Sequence, residues 1–224
     1  MVERYVPAAG RAAFTGLYDP IVALTMRERS WRPALLREVT AALPPAATVV
    51  DVGAGTGSFA IALVAAHPGT SVIAVDGDRQ VLRRARAKAG GQAVEWREGL
   101  AGELPLEAGQ ADAIVMSLLL HHLAPAAKEA ALTDARRVLR AGGRLHIADW
   151  GRPRGAWPRC GFMALRVLDG FEGTSDHAAG RLPALIAQAG FEDPRVWRRL
   201  PTAWGTLELL SAQRPASGGS ADDQ

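Results

Sequence analysis

VVDVGAGTGSF, residues 49–59, decides the reading of this 224-residue chain. Two β-branched residues, an acid and glycines at 53, 55 and 57 read as a buried strand that runs into a tight turn, with a helix beginning near Ser58. Glycine lets such a turn approach a ligand closely, and the free N–H groups of the helix that follows favour an anionic group. A second apolar run, Ser71 to Val75, closes on Asp76, 19 residues beyond Gly57. An acid at that distance is placed to accept hydrogen bonds from the two hydroxyls of a nucleoside ribose. Turn and acid together make a nucleotide-site candidate.

A dinucleotide turn of the form G-x-G-x-x-G needs its third glycine at position 58, where this chain has Ser58 behind Gly57. The pattern is instead D-x-G-x-G-x-G, with Asp51 ahead of the glycines. Leu104-Pro105-Leu106, Ala111-Asp112-Ala113-Ile114-Val115, Leu120-His121-His122-Leu123 and Leu139-Arg140-Ala141-Gly142-Gly143-Arg144-Leu145 follow in order. With these five motifs, covering about residues 45 to 150, the chain resembles the class I S-adenosylmethionine-dependent methyltransferases. The likeness is to the small-molecule branch related to the ubiquinone and menaquinone C-methylating enzymes. The resemblance implies an α/β fold with a doubly wound, seven-stranded, mostly parallel sheet and an antiparallel last strand. It also implies S-adenosylmethionine as cofactor and N-terminal lid helices over it.

Composition narrows the function classes. A length of 224 residues suits one domain and leaves no room for a nucleotide domain plus a full second domain, which disfavours an NAD-dependent oxidoreductase. A net charge of +3 is too small an excess to argue for nucleic acid. Cys160 is the only cysteine, so no intramolecular disulfide or cysteine cluster is expected, and a small filler on a helix is its reading. No stretch reaches the roughly 18 apolar residues of a membrane span, and the first ten residues carry Glu3 and Arg4, so the expected location is cytoplasmic.

Strands are expected at Thr48–Asp51, Val72–Asp76, Val94–Arg97, Ala113–Ser117, Arg144–Asp149, Pro194–Arg199 and Trp204–Ser211, the last two joined at Pro201-Thr202. Helices are expected at Pro20–Arg29, Pro33–Leu43, Ser58–Ala66, Arg79–Ala89, Pro125–Arg140, Cys160–Leu168 and Leu182–Ala189. Alternating strand and helix implies a parallel sheet covered on both faces. The domain reading is a helical lid over residues 1–44, a cofactor-binding core over 45–211, and a tail over 212–224 too poor in apolar residues to order.

A sulfonium cofactor with a carboxylate, an ammonium, a ribose and an adenine sets several polar demands at once. The N–H groups of Gly53, Gly55 and Gly57 and the helix start suit the carboxylate, Asp51 the ammonium and Asp76 the ribose. The resemblance adds Tyr18 in the lid and the backbone carbonyl of Ser117 at the ammonium. It also aligns Leu100-Ala101 where relatives carry Asp-Ala for the adenine, and Gly77 where a larger apolar residue packs on the ring. Glu98 is a substitute acceptor, and Leu100 is the one hint of a binding protein without turnover.

Methyl transfer from a sulfonium needs alignment and exclusion of water; it requires no metal, and a base only if the nucleophile must lose a proton. His122 after the fourth strand is the base candidate, a loop-fixing histidine its alternative, and His121 is expected to pack or face solvent. Asp149 ends the fifth strand at the same sheet edge and can orient an acceptor. Asp176-His177 lies before the last helix, with a helix N-cap role for Asp176 the first reading and a contribution to the pocket the second, and His67 reads as idle at the opposite edge. Trp157, Phe162, Met163, Leu165 and Leu168 form an apolar group, with core packing the first reading and a cover for a small aromatic or lipid-like acceptor the second.

Overall fold

The computed structural model describes residues 27–216. Tyr18, most of the first expected helix and the end of the tail lie outside that range. Seven strands form one sheet in the order β3-β2-β1-β4-β5-β7-β6. They are β1 Thr48–Val52, β2 Ser71–Asp76, β3 Val94–Glu98, β4 Ala111–Ser117, β5 Leu139–Gly151, β6 Glu192–Thr202 and β7 Gly205–Gln213. The first five pair in parallel, while β7 runs antiparallel between β5 and β6. Among the described residues seven α-helices accompany them: α1 Glu28–Ala41, α2 Ser58–Ala66, α3 Arg79–Ala89, α4 Pro125–Val138, α5 Ala156–Asp169, α6 Phe171–Ala179 and α7 Leu182–Gln188.

Alternation along the strands divides two cores. Val50, Val52, Ile73, Val75, Ile114, Met116, Leu145 and Ile147 pack beneath Leu132, Ala135 and Val138 of α4 and Leu182 and Ile186 of α7. Val49, Val72, Ala74, Val115, Ala148 and Trp150 face Trp31 and Leu35 of α1, Phe59 and Leu63 of α2, and Phe162 and Leu165 of α5. Both faces are therefore dry, as βαβ crossovers require. The polar work is left to the strand ends.

Several local expectations are corrected. Helix α1 runs through Pro33 instead of breaking there. An interior proline costs about 3 kcal/mol, but burial of Trp31, Leu35 and Val39 against α2 and β5 recovers roughly 1.5–3 kcal/mol for each side chain. Helix α4 stops at Val138, and the β6–β7 turn lies at Ala203-Trp204, beyond the expected Pro201-Thr202. Strand β7 extends to Gln213, and Arg214 is tied to the body through its N–H to the Gly143 carbonyl. Asp176 is no N-cap: it sits late in α6, a helix the sequence reading lacked, and pairs with buried Lys128 at 3.0 Å and with Arg181 at 2.6 Å. Of the apolar group on α5, only Phe162 and Leu165 are buried, while Trp157, Met163 and Leu168 are exposed. Cys160 is exposed as well.

The glycine turn gives a direct test of the packing. Gly57 has φ +72°, and a Cβ there would lie 2.3 Å from the Trp96 ring; Gly55 has φ +54° with open space around it. Gly55→Ala should cost about 1–2 kcal/mol, the left-handed penalty alone. Gly57→Ala should cost at least about 3 kcal/mol, which at this size lowers Tm by roughly 6–12 °C. Thermal melts of the two variants check the order; equal losses would remove the steric role given to Trp96.

Candidate active site

The strand order reverses direction between β1 and β4, and ligands of open α/β sheets bind at the carboxyl edge of such a switch. The glycine turn leaves β1 there and crosses to β2, with the Gly53 and Ala54 N–H groups donating to the Val75 carbonyl at 2.9 and 3.1 Å. Asp76 closes the strap, its Oδ2 accepting from Gly55 N–H at 2.8 Å and its Oδ1 from Asp78 N–H at 2.9 Å. Two carboxylate oxygens offer about four acceptor positions, so capacity is left for ligand hydroxyls. Asp78 in turn caps α3 through Gln80 and Val81. Leu119, from across the switch, packs over Gly53, where a Cβ would meet it at 2.7 Å.

Asp51 is fully buried beneath this turn, and neither carboxylate oxygen has a hydrogen-bond partner. Burial, only partly offset by Arg32 and by the nearby Ala60 N–H, raises its pKa from 3.8 to about 7. The N–H groups of Gly53, Gly55 and Gly57 are all spent inside the turn, against the sequence expectation, so the donors left for an anion are those of the first turn of α2; a buried acid beside them fits a ligand that brings both an ammonium and a carboxylate. Past the ends of β2 and β3, Gly77 and Ala101 are half-buried, and Leu100 is 48% exposed. Glu98, the substitute acceptor, is engaged by Arg79. Ser117 ends β4 half-buried beside the turn.

Beyond Ser117 the backbone makes an unusual move. Leu118 has φ +54°, a left-handed conformation that costs a leucine about 1–2 kcal/mol. It swings Leu120–His122, a single 3₁₀ turn, back over the end of β5. Asp149, fully buried, accepts from Leu120 N–H at 2.8 Å, from Trp150 N–H at 2.7 Å and from His121 Nδ1 at 2.7 Å. Burial alone would raise this carboxyl, but His121 and His177 and the bonds from His121 and Trp150 outweigh it and hold it below the usual carboxylate range.

The histidine against Asp149 is thus His121, and His122 turns its ring outward, 3.9 Å from that of His121. Desolvation, then repulsion from His121, lowers His122 to about 3, so its ring is neutral at physiological pH and a weak base. Asp169, at the end of α5, places Oδ2 3.7 Å from His121 Nε2. Buried His177 of α6 lies 3.6 Å from Asp149. Sequence reasoning missed His121 and Asp169, and named His177 only as part of a stretch that could reach the pocket. The adjacent histidines were visible, but only the left-handed Leu118 decides which one turns inward. His67 is bonded to Thr70 at the opposite edge.

Comparison with known proteins gives this geometry a family. Residues 49–143 match the methyltransferase domain family. The chain is 33% identical to the malonyl-[acyl-carrier protein] O-methyltransferase of Methylococcus capsulatus over 94% of this chain and 76% of that protein. The chain belongs to the methyltransferase family. It is also 33% identical to a ubiquinone/menaquinone biosynthesis C-methyltransferase UbiE, that of Syntrophotalea carbinolica, over 56% of this chain and 52% of that protein. The fold is shared with a SAM-dependent methyltransferase from Methanosarcina mazei, at a TM-score of 0.65 and 20% identity, over 80% of this chain and 97% of that one. Membership sets the oxidoreductase reading aside. Among the described residues, no helix of this methyltransferase is long and apolar enough to cross a membrane.

Asp51 carries a pH signature. With its folded pKa raised to about 7, its contribution to stability is complete below 3.8 and is lost as pH rises through 7. The unliganded protein should lose about 2–3 kcal/mol of stability from this group between roughly pH 5 and pH 8. Asp51→Asn should remove that slope. Denaturant unfolding of both proteins across the range checks it; parallel pH profiles would show that Asp51 ionises freely in the fold.

Proposed function

We propose that this chain transfers the methyl group of S-adenosylmethionine to a small-molecule acceptor through an oxygen, nitrogen or carbon nucleophile. The observation that carries the reading is the convergence of the Asp76-strapped glycine turn with the orphaned Asp51 at the β1/β4 switch. The N–H groups of Gly53, Gly55 and Gly57 are spent closing the turn on Val75, Asp76 and Ala54, so the methionine carboxylate falls to the first-turn N–H groups of α2, and Asp51, with the Ser117 carbonyl, takes the ammonium. Asp76 accepts the ribose hydroxyls. Gly77, Leu100 and Ala101 border the adenine, with the Ala101 N–H reading a ring nitrogen in place of the acid that Leu100 replaces.

When bound, the cofactor supplies an electrophilic methyl group on a positively charged sulfur. The chain's own residues hold the nucleophile in line and keep water out. Asp149 fixes the His121 ring so that Nδ1 donates to it, which leaves Nε2 as a lone-pair donor on the acceptor side. Asp149 is therefore a positioning residue acting through His121, and His122 flanks the same space. The names of the relatives include both an O- and a C-methyltransferase, so the accepting atom is set by groups near this histidine rather than by the cofactor half. The exposed apolar side chains of α5, Trp157 among them at 83%, favour an aromatic or lipid-like acceptor.

Asp76→Ala should weaken binding of S-adenosylmethionine by roughly 10–100-fold, the loss of charged hydrogen bonds worth about 1.5–3 kcal/mol. Glu98→Ala should change it by less than about threefold, because Arg79 already holds that acid. Titration calorimetry reads both. The reverse order would overturn the cofactor assignment, and binding without release of S-adenosylhomocysteine across a wide acceptor panel would turn the reading to a non-catalytic binding protein.

A further inference from the structure

Methyl transfer from the sulfonium side needs no metal, yet the acceptor side gathers ligands suited to one. Among the described residues, one group of three histidines or acids brings its ligand atoms together: His121, His122 and Asp169, all within 4.8 Å of one another. Two imidazoles and one carboxylate are the donor set of sites that hold first-row transition ions with positions left open. A cation about 2.0–2.2 Å from each donor sets neighbouring donors roughly 3–4 Å apart. The His121 Nε2 to Asp169 Oδ2 separation of 3.7 Å already falls there.

Two further observations point the same way. His121 Nδ1 is bound to Asp149, itself fixed by the N–H groups of Leu120 and Trp150. That carboxylate–histidine arrangement fixes the tautomer of a metal-ligating imidazole and aims its free nitrogen at the ion. Asp169 is also poorly placed without a cation. It closes α5, where the helix dipole disfavours an acid by about 0.3–1 kcal/mol, and its side chain is only 16% exposed. Among the described residues its ion-pair partner is His121 alone, beyond hydrogen-bond range.

We propose that His121, His122 and Asp169 bind a divalent first-row transition-metal ion, with Asp149 orienting His121 and the exposed side near His122 leaving positions open. The site stands on its own ligands and not on the methyl-transfer reading. An acceptor oxygen that enters an open position loses its proton more readily, and His121 then serves as ligand rather than base.

The test uses the tag-free full chain in a Cys160→Ser background, which removes the exposed thiol as a competing zinc ligand. The protein is stripped with a chelator, titrated with Zn²⁺ by calorimetry, and examined with Co²⁺ by electronic absorption. The expected result is about one equivalent bound in the micromolar range or tighter, with a Co²⁺ d–d spectrum typical of nitrogen and oxygen ligands. Asp169→Asn, which keeps the size of the side chain, and His122→Ala, at an exposed position, should each weaken binding by at least roughly tenfold, and His67→Ala should leave it unchanged. Thermal melts matched to the parent show that the variants fold. No stoichiometric binding by the parent, or unchanged affinity in the Asp169→Asn/His122→Ala double variant, would overturn the proposal. Titration of the same proteins with S-adenosylmethionine reports the cofactor site independently, so either reading can fail alone.

Discussion

A carboxylate without access to water must be met by donors or it destabilises the fold, and at Asp149 that constraint organises the whole acceptor edge. The donors come from three places: the backbone of β5 itself, the 3₁₀ turn after β4, and a histidine on that turn. Meeting them requires the chain to double back at once after Ser117, which a left-handed Leu118 achieves at local cost. Helix α6 then closes the space with His177, while its Asp176 anchors Lys128 of α4. One buried charge thus couples two strand ends and two helices. Removing it would leave several donors unmet at once, a larger loss than any single bond among them.

Asp51 is the instructive opposite. It is as deeply buried as Asp149, only one strand removed across β4, yet the Arg32 charge and the Ala60 N–H offset only part of its burial. Burial drives one acid up to about 7, while histidine and N–H partners hold the other below the ordinary range despite similar burial. The contrast separates two uses of a buried carboxylate. A satisfied one is architecture that positions its neighbours; an unsatisfied one keeps its acceptor capacity for a ligand cation.

What the sequence made legible follows how local each cause is. Helices Ser58–Ala66 and Arg79–Ala89 end where they were expected, because Gly57 and Asp78 start them, and His67-Pro68 and Gly90 stop them within one turn of chain. The doubly wound sheet was legible because strands buried on both faces are written as continuous apolar runs. Helix α6 was not: FEGTSDHAA is poor in helix formers and holds together through Lys128, 48 residues away, and through Gly173 packed against the His121 carbonyl. Choosing between His121 and His122 failed for the same reason. Adjacent residues differ only in direction, and direction was set by a backbone torsion and by an acid 28 residues downstream.

Orphaned polar atoms do not by themselves mark a site, and His146 shows why. It lies mid-strand on β5, in the register row of Val115 and Asp51, buried with neither ring nitrogen bonded, and burial with nearby Arg144 and Arg195 lowers it to about 4, so it stays neutral. A neutral imidazole left without partners costs far less than a charge would, and nothing around it converges on a common point. At the carboxyl edge the donors and acceptors do converge. The glycine turn, Asp51 and Asp76 surround one side of the β1/β4 switch, and His121, His122 and Asp169 lie beyond β4 on the other. The parallel sheet supplies this convergence, because every strand running the same way delivers its terminal polar residues to the same edge. Under the proposed function the split between the two halves follows strand order: β1 and β2 carry most of the residues assigned to the cofactor, Ser117 of β4 stands at the boundary, and the turn after β4 with the end of β5 carries the groups assigned to the acceptor.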